Sequence, residues 1–216
     1  MVLRERISFL VFIAGIVIMG YSLFRHLKDE GTDQLSDVFT IHPVNAHYIP
    51  SLQALNRVLL PIHYSDNLYN EILSSSEYCK VALYKNKVVG AITSRLAVAE
   101  RTEYGCIIDR SEYKTNFVEY HLYIVTLGVL AKFRKMGLGT MLLNALVETA
   151  RESNRKELER PDPSFLISSI TLHVQSNNTV GILFYEKNGF KSVKYIEKYY
   201  TNLEPRSAYL FARTIM

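Results

Sequence analysis

The sequence predicts an α/β (α+β) domain of about seven strands and four helices, with an apolar N-terminal segment that stands apart from it. Three observations carry this. Apolar residues recur at helical spacing in four stretches, short runs rich in β-branched and aromatic residues lie between them, and Pro, Gly or Asn punctuates the boundaries. The resulting order is strand, two helices, three strands, helix, strand, helix, two strands, with no internal repeat.

Taken in order, residues 38–41 form a first strand. Asn45 caps a helix running through Ile49, Leu52, Leu55 and Leu59, with Pro50 tolerated in its first turn and Pro61 ending it. Ser65 and Asp66 open a second helix carrying Leu68, Tyr69, Ile72 and Leu73. Residues 80–84 and 88–95 flank Lys85-Asn86-Lys87 as a β-hairpin with a short polar turn. Residues 97–118 are polar and irregular, an insertion at a hairpin end. The run 121–129 is a buried strand. The next helix shows Leu138, Met141, Leu142, Ala145, Leu146 and Thr149 on one face. Residues 151–166 are charged, hold Pro161 and Pro163, and are expected to be a loop. Residues 169–175 form a strand, 179–187 a helix stopped by Gly189, and 190–195 and 207–214 the closing strands.

A chain of 216 residues can bury a full-sized core. Its net charge of +4 suits an anionic small molecule but lacks the concentrated basic footprint of a sequence-reading nucleic-acid protein. Cys79 and Cys106 have no zinc, CxxC or disulfide spacing and read as free thiols in a reducing compartment. Residues 7–24 contain no charge. At ~1.5 Å per residue they span ~27 Å as a helix, enough for a bilayer's hydrocarbon layer. A membrane anchor, a buried or amphipathic helix, and an extension not made in the cell are all compatible with that. Similar Lys/Arg numbers on both flanks leave orientation open. Residues 25–37 are a polar linker, which sets the domain at 38–216.

The sharpest local feature is Arg134-Lys135-Met136-Gly137-Leu138-Gly139, between the buried strand and the amphipathic helix. At a helix start the first N–H groups lack internal partners and point outward with the positive end of the dipole. Glycines admit a phosphate to the backbone, and two cations add charge. No Gly-Lys-Ser/Thr ends the turn, and Leu142 stands where a dinucleotide fingerprint wants its third glycine, so both better-known glycine motifs are excluded. A pattern this loose arises by chance in about one chain in twenty, so alone it is also an ordinary strand-to-helix turn. Likewise, alternation places Thr171, His173 and Gln175 on one strand face. Alone, His173 reads most simply as a structural histidine and Tyr123 as a core tyrosine.

The surroundings are more specific. LYIVTLGVLAKFRKMGLGT (residues 122–140) and LHVQSNNTVGILFYEKNGF (172–190) resemble strand 4 with its pyrophosphate loop, and strand 5 with its asparagine-led helix, in the GNAT acetyltransferase superfamily. LNRVLLPIHYSDNLYNEIL (55–73) and KYYTNLEP (198–205) are similar to the NatE-type N-alpha-acetyltransferases within it. The resemblance covers residues 38–216 and implies the GNAT acyl-CoA N-acyltransferase fold, with a mixed central sheet. It implies acetyl-CoA as co-substrate and no metal. Leu127, Gly128 and Val129 would hold the acetyl group, Arg134, Lys135, Met136, Gly137, Leu138, Gly139 and Thr140 the pyrophosphate, and Asn178 and Tyr185 the rest of the cofactor. Tyr123 and His173 would take the amine's proton through water, and Tyr185 would protonate the departing thiolate or pack on the pantetheine arm. Leu60, Pro61, Ile62 and Tyr64, faced by Tyr199 and Tyr200, would receive a methionine followed by a hydrophobic or other non-acidic residue. Leu60 replaces the family's usual phenylalanine, which opens the preference at the second residue. N-terminal peptides, the NatA complex and the ribosome are the expected partners, in the cytoplasm or on its side of a membrane. A lysine or small-amine acceptor, or a weakly catalytic docking subunit, are the competing readings.

Overall fold

The computed structural model describes residues 38–60, 64–98 and 118–215. Its elements are β1 (Thr40–Pro43), α1 (Ile49–Leu59), α2 (Asp66–Ser74), β2 (Lys80–Tyr84), β3 (Lys87–Val98), β4 (Val118–Val129), α3 (Leu138–Leu158), β5 (Phe165–Gln175), α4 (Thr179–Lys187), β6 (Lys191–Ile196) and β7 (Ala208–Thr214). The expected order is present. The apolar run 7–24 and most of the 97–118 insertion lie outside the described residues. Among the described helices none is long and apolar enough to cross a membrane.

One seven-stranded sheet runs β1-β2-β3-β4-β5-β7-β6. All neighbours are antiparallel except β4 and β5, which are parallel and joined across α3. The side chains of α3 and α4 meet one sheet face around Leu138, Leu142, Leu146, Ile170, Leu172 and Tyr185. Leu52, Leu55, Tyr69 and Ile72 of α1 and α2 cover the other face at β2 and β3. Both helix pairs bury the stripes their apolar periodicity defines.

Several boundaries differ from the sequence expectation, for identifiable reasons. Asn45 does cap a helix, accepting from His47 N–H, but a 3-10 turn at Ala46–Tyr48 comes first and α1 proper starts at Ile49 with Pro50 in its first turn. β1 lies two residues later than read, because Thr40 to Pro43 are the residues that pair with β2. Residues 151–166 are not a loop. α3 continues to Leu158 and β5 begins at Phe165, leaving only 159–164 between them. The charges there misled because they cover a solvated helix face, where Glu152 pairs with Arg155 and with Lys156, the latter at 3.4 Å. Glu157, itself buried, turns the chain by accepting from Ser164 N–H (2.6 Å), Ser164 O–H (2.8 Å) and Arg160.

Asn154 explains how the extended α3 holds β5. β7 pairs with β5 only from Ser169 onward, so Ile167 has lost that neighbour. Asn154 Oδ1 accepts from Ile167 N–H and its Nδ2 donates to Ile167 C=O, both at 2.8 Å, so an amide side chain stands in for a strand. Asn154→Ala leaves both groups of a buried residue without that partner and should cost about 2 kcal/mol. In a thermal melt this appears as a fall in Tm of roughly 4–8 °C; an unchanged Tm would show water replacing the clasp.

Candidate active site

The site begins with a single extra residue in β4. Thr93 pairs with Thr126 but its neighbour Ser94 pairs with Ile124, so Val125 has no partner and forms a bulge. Before the bulge, Leu122 and Ile124 face the α3 core. Beyond it, Leu127 and Val129 pack there instead. Tyr123, Thr126 and Gly128 are therefore left on the α1 face, and Thr126 is fixed by a 2.7 Å hydroxyl contact with Thr93.

Next to the bulge the sheet splits. β4 and β5 pair from Val118/Phe165 as far as Tyr123/Thr171 and no further, although β4 runs on to Val129 and β5 to Gln175. Leu130 N–H donates to Val89 C=O at 2.8 Å. Alternation then turns the N–H groups of Leu127 and Val129 away from β3, into the gap. Gly128 points the other way, and a Cβ there would lie 2.7 Å from Leu59 Cδ1, so the glycine lets the end of α1 close onto β4.

At the wide end of the gap lies the glycine turn. Gly137 is the N-cap of α3 with φ 79°, and Lys135 is also left-handed at φ 62°. Gly137 thus serves a backbone conformation that side chains resist. Gly139 does something else: a Cβ there would stand 3.3 Å from the Phe184 ring, so it permits close approach of α4 rather than of a phosphate. Arg134 and Lys135 are exposed, Met136, Gly139 and Thr140 half-buried and Leu138 buried. Arg134 Nε donates to Val129 C=O at 3.0 Å, tying the turn back to the end of β4. The first N–H groups of α3 and these cations form an anion cradle continuous with the gap. Asn178 is an exposed N-cap of α4, accepting from Gly181 N–H at 3.0 Å.

Tyr123 and His173 meet at the narrow end, on the α1 face. Tyr123 Oη is 3.0 Å from His173 Nδ1 and 3.0 Å from Tyr199 Oη. The Tyr199 ring stacks on the imidazole at 3.9 Å between centroids and 15° between planes. Burial lowers the His173 pKa to about 4, so the ring is neutral at physiological pH. Burial also pushes the Tyr123 phenol well above its usual value, and the Tyr199 hydrogen bond adds to the shift. The consistent hydrogen-bond order is Tyr199 O–H to Tyr123 oxygen and Tyr123 O–H to Nδ1.

Further tyrosines gather beside Tyr123 and His173. Tyr199 and Tyr200 both bond through their N–H groups to Arg206 C=O, and Gln175 Nε2 anchors the same loop through Pro205 C=O at 2.8 Å. Tyr200 is pushed up to about 12 by burial, then by Tyr199 and Tyr64. Tyr64 is likewise raised, by burial first and Tyr199 next. Leu60 is half-buried and extended at the end of α1. Pro61 and Ile62 lie outside the described residues.

Tyr185 sits apart from this cluster, in the α3/α4 core against Phe184, Phe190 and Phe211. Burial raises its pKa and keeps it a phenol. Cys79 has the inert environment expected: its buried thiol donates to Ser94 C=O at 3.2 Å and burial raises its pKa to about 11. Cys106 lies outside the described residues. Sequence reading missed Arg95, whose guanidinium carbon lies 5.5 Å from the Tyr123 ring centroid. Only the cross-strand pairing of Arg95 with Tyr123 reveals it.

Comparison with known proteins agrees with this geometry. A family model described as an acetyltransferase (GNAT) domain matches residues 75–192. The probable N-acetyltransferase san of Drosophila melanogaster is 35% identical over 172 residues, covering 80% of this chain and 78% of that protein. N-alpha-acetyltransferase 50 of Danio rerio is 31% identical, covering 80% and 86%. Among solved structures, Arabidopsis thaliana Naa50 in complex with the bisubstrate analogue CoA-Ac-MVNAL aligns with a TM-score of 0.63 at 32% identity, covering 82% of this chain and 98% of that one.

Proposed function

The chain belongs to the GNAT acetyltransferase family, an acetyl-CoA-dependent enzyme by that membership, and from this premise we propose that it acetylates the α-amine of protein chains that begin with methionine. The observation that carries the proposal is the Tyr199–Tyr123–His173 hydrogen-bond chain set at the point where β4 and β5 part. The acceptor class follows the Naa50 relative, whose bisubstrate analogue carries a peptide beginning with methionine. We infer a preference for a hydrophobic or other non-acidic second residue, met by Leu60, Pro61, Ile62 and Tyr64 on one side and Tyr199 and Tyr200 on the other.

The residues fit the cofactor. A left-handed glycine N-cap, two cations and the Leu127 and Val129 N–H groups line one continuous gap. Bound acetyl-CoA supplies a thioester carbonyl for attack and a thiolate to leave. Arg134, Lys135 and the start of α3 then hold the pyrophosphate, Asn178 shapes the α4 side, and the Leu127 and Val129 N–H groups polarise the carbonyl. Tyr185 is the candidate donor to the leaving sulfur or packs on the pantetheine arm; burial raises its pKa and makes it the weaker acid, which favours packing. Arg134→Glu should raise the KM for acetyl-CoA about tenfold while the peptide KM stays within about twofold, because a charge-assisted contact is exchanged for repulsion. Steady-state kinetics with each substrate varied checks this.

Proton transfer constrains the mechanism. An N-terminal amine with pKa near ~7.8 is neutral ~400 times more often at pH 7 than a lysine near ~10.4, a difference of ~3.5 kcal/mol. An imidazole held near 4 is too weak a base to deprotonate a free ammonium in advance. Tyr123 and His173 therefore act as a relay, with one water where needed, accepting the proton as the C–N bond forms and nitrogen becomes acidic. Because His173 is already neutral above about pH 4, the acid limb of kcat/KM should follow the acceptor's own amine. Peptides with lower N-terminal pKa should shift that limb down by the same amount; a limb fixed across peptides would assign it to the enzyme instead.

The deciding experiment is acetyl-CoA turnover by the full chain on a panel of Met-Xaa peptides and on lysine peptides with blocked N-termini. Fastest transfer to Met-hydrophobic peptides is expected, and faster transfer to lysine would overturn the acceptor assignment. The proposal places the domain, residues 38–216, on the cytosolic side, with 7–24 as a membrane anchor, and includes association with the NatA complex at the ribosome. Protease protection in intact microsomes would contradict the placement, and failure to co-purify with NatA would remove the association.

A further inference from the structure

The end of the sheet where the chain enters the domain carries a cationic surface that acetyl transfer does not use. Thr40 pairs with Leu83, so the residues ahead of β1 join the fold beside the β2–β3 turn. There Phe39, Tyr84 and Phe133 pack as a three-ring cluster with centroids 5.2–5.8 Å apart. Lys85 Nζ lies 5.5 Å from the Tyr84 centroid and Lys132 Nζ 5.8 Å from that of Phe133, so the rings gather cations from two separate segments. Lys87, opposite Tyr84 in the hairpin, adds a third. All three are exposed and none is ion-paired to a carboxylate among the described residues. The last turn of α1, with exposed Arg57 and Val58, ends at the same pole, since Leu59 abuts Gly128.

The turn itself favours charge over backbone ease. Its two residues, Lys85 and Asn86, both have positive φ, 48° and 61°. Asn-Gly is the least strained pair for such a turn, and a lysine in the first position is not. We propose that this pole docks on an anionic lipid surface, with Lys85, Lys87 and Lys132 meeting the headgroups. A bilayer fits better than RNA. The three rings are committed to one another, Phe39 being 1% exposed, so they do not form the open stacking platform that bases use. The described chain starts at this pole, and residues 25–37, at most ~45 Å long when extended, connect it in sequence to the uncharged run 7–24. Lysines beside such a run sit where headgroup attraction acts.

The test compares the full chain with a Lys85→Gln, Lys87→Gln, Lys132→Gln triple variant. Partitioning is measured onto phosphatidylcholine vesicles with and without phosphatidylserine, so that the ratio isolates the charge contribution whatever residues 7–24 do. The wild type should prefer the anionic vesicles, and the variant should lose roughly 10²-fold of that preference, at about 1 kcal/mol per lysine. Soluble-peptide kcat/KM in the variant should be unchanged. Equal ratios for the two proteins overturn the proposal, as does a wild-type preference that added salt leaves intact. A raised KM for acetyl-CoA in the variant would assign the lysines to the cofactor. Loss of duplex-RNA binding with an unchanged vesicle ratio would assign them to nucleic acid. Either result sinks the lipid reading.

Discussion

His173→Ala should lower kcat for peptide acetylation by roughly 10²–10³-fold with little change in either KM, and Tyr123→Phe should do nearly the same. In the proposed mechanism the two share one path. Tyr123 Oη is the only described group joining His173 Nδ1 to the acceptor side, and removing its hydroxyl breaks the relay as surely as removing the ring that receives the proton. The double variant should therefore be scarcely slower than either single one, since residues acting as a unit are not additive. Multiplicative losses would mean two independent proton acceptors. Tyr199→Phe is a useful contrast. It keeps the ring stacked on His173 and removes only the hydroxyl behind Tyr123, so its kcat loss should be milder, within about tenfold.

Gly128→Val should be the most damaging single change outside that relay. Its Cβ would meet Leu59 Cδ1 at 2.7 Å, with Leu59 Cβ and Cγ at 3.6 and 3.8 Å, and valine adds two further methyl groups to that contact. Overpacking of this kind costs about 1–3 kcal/mol of stability. The functional cost should be larger, because Leu127 and Val129 flank the glycine and their N–H groups are the ones proposed to hold the acetyl group; a displacement near 1 Å there costs about 10²-fold in kcat/KM. Leu59→Ala in the same chain should recover much of both losses. Thermal melts and kinetics on the pair check this, and no recovery would show that the close approach of α1 is not what sets β4. Gly128→Ala should be mild by comparison, since one methyl can be met by turning Leu59.

The order of elements was legible because each buried stripe keeps one period along its whole length. β2, for instance, has the bounds its apolar run defines, Lys80–Tyr84. What failed was any stretch whose burial depends on a distant partner. Residues 151–158 look like a charged loop until Asn154 is seen against Ile167, and the start of β5 is hidden in sequence because Phe165 to Ile167 are ordered by β4 rather than by β7. The site shows the same division. Tyr123 and His173 were marked by resemblance, but nothing local shows that Tyr199 would stack on the imidazole from a loop held by Gln175, or that Arg95 would lie over Tyr123. Nor could sequence separate the tasks of the two glycines. Gly137 is required by φ, Gly139 by the Phe184 ring.

The unpaired Val125 gives β4 an unusual kind of fragility. Its backbone has no partner on β3, so the pairing of the strand does not depend on which residue stands there. Deleting it would remove the phase shift between the two halves of the strand. One half would then have to invert: either Tyr123 turns inward and Ile124 outward, or Leu127 and Val129 exchange places with Gly128. Every side chain needed for catalysis would still be present in the chain, on the wrong side of the sheet. Among variants of this enzyme, β4 should accept replacements far more readily than a change in its residue count. The reading frame of its pleat, as much as any single residue, is what heredity has to preserve.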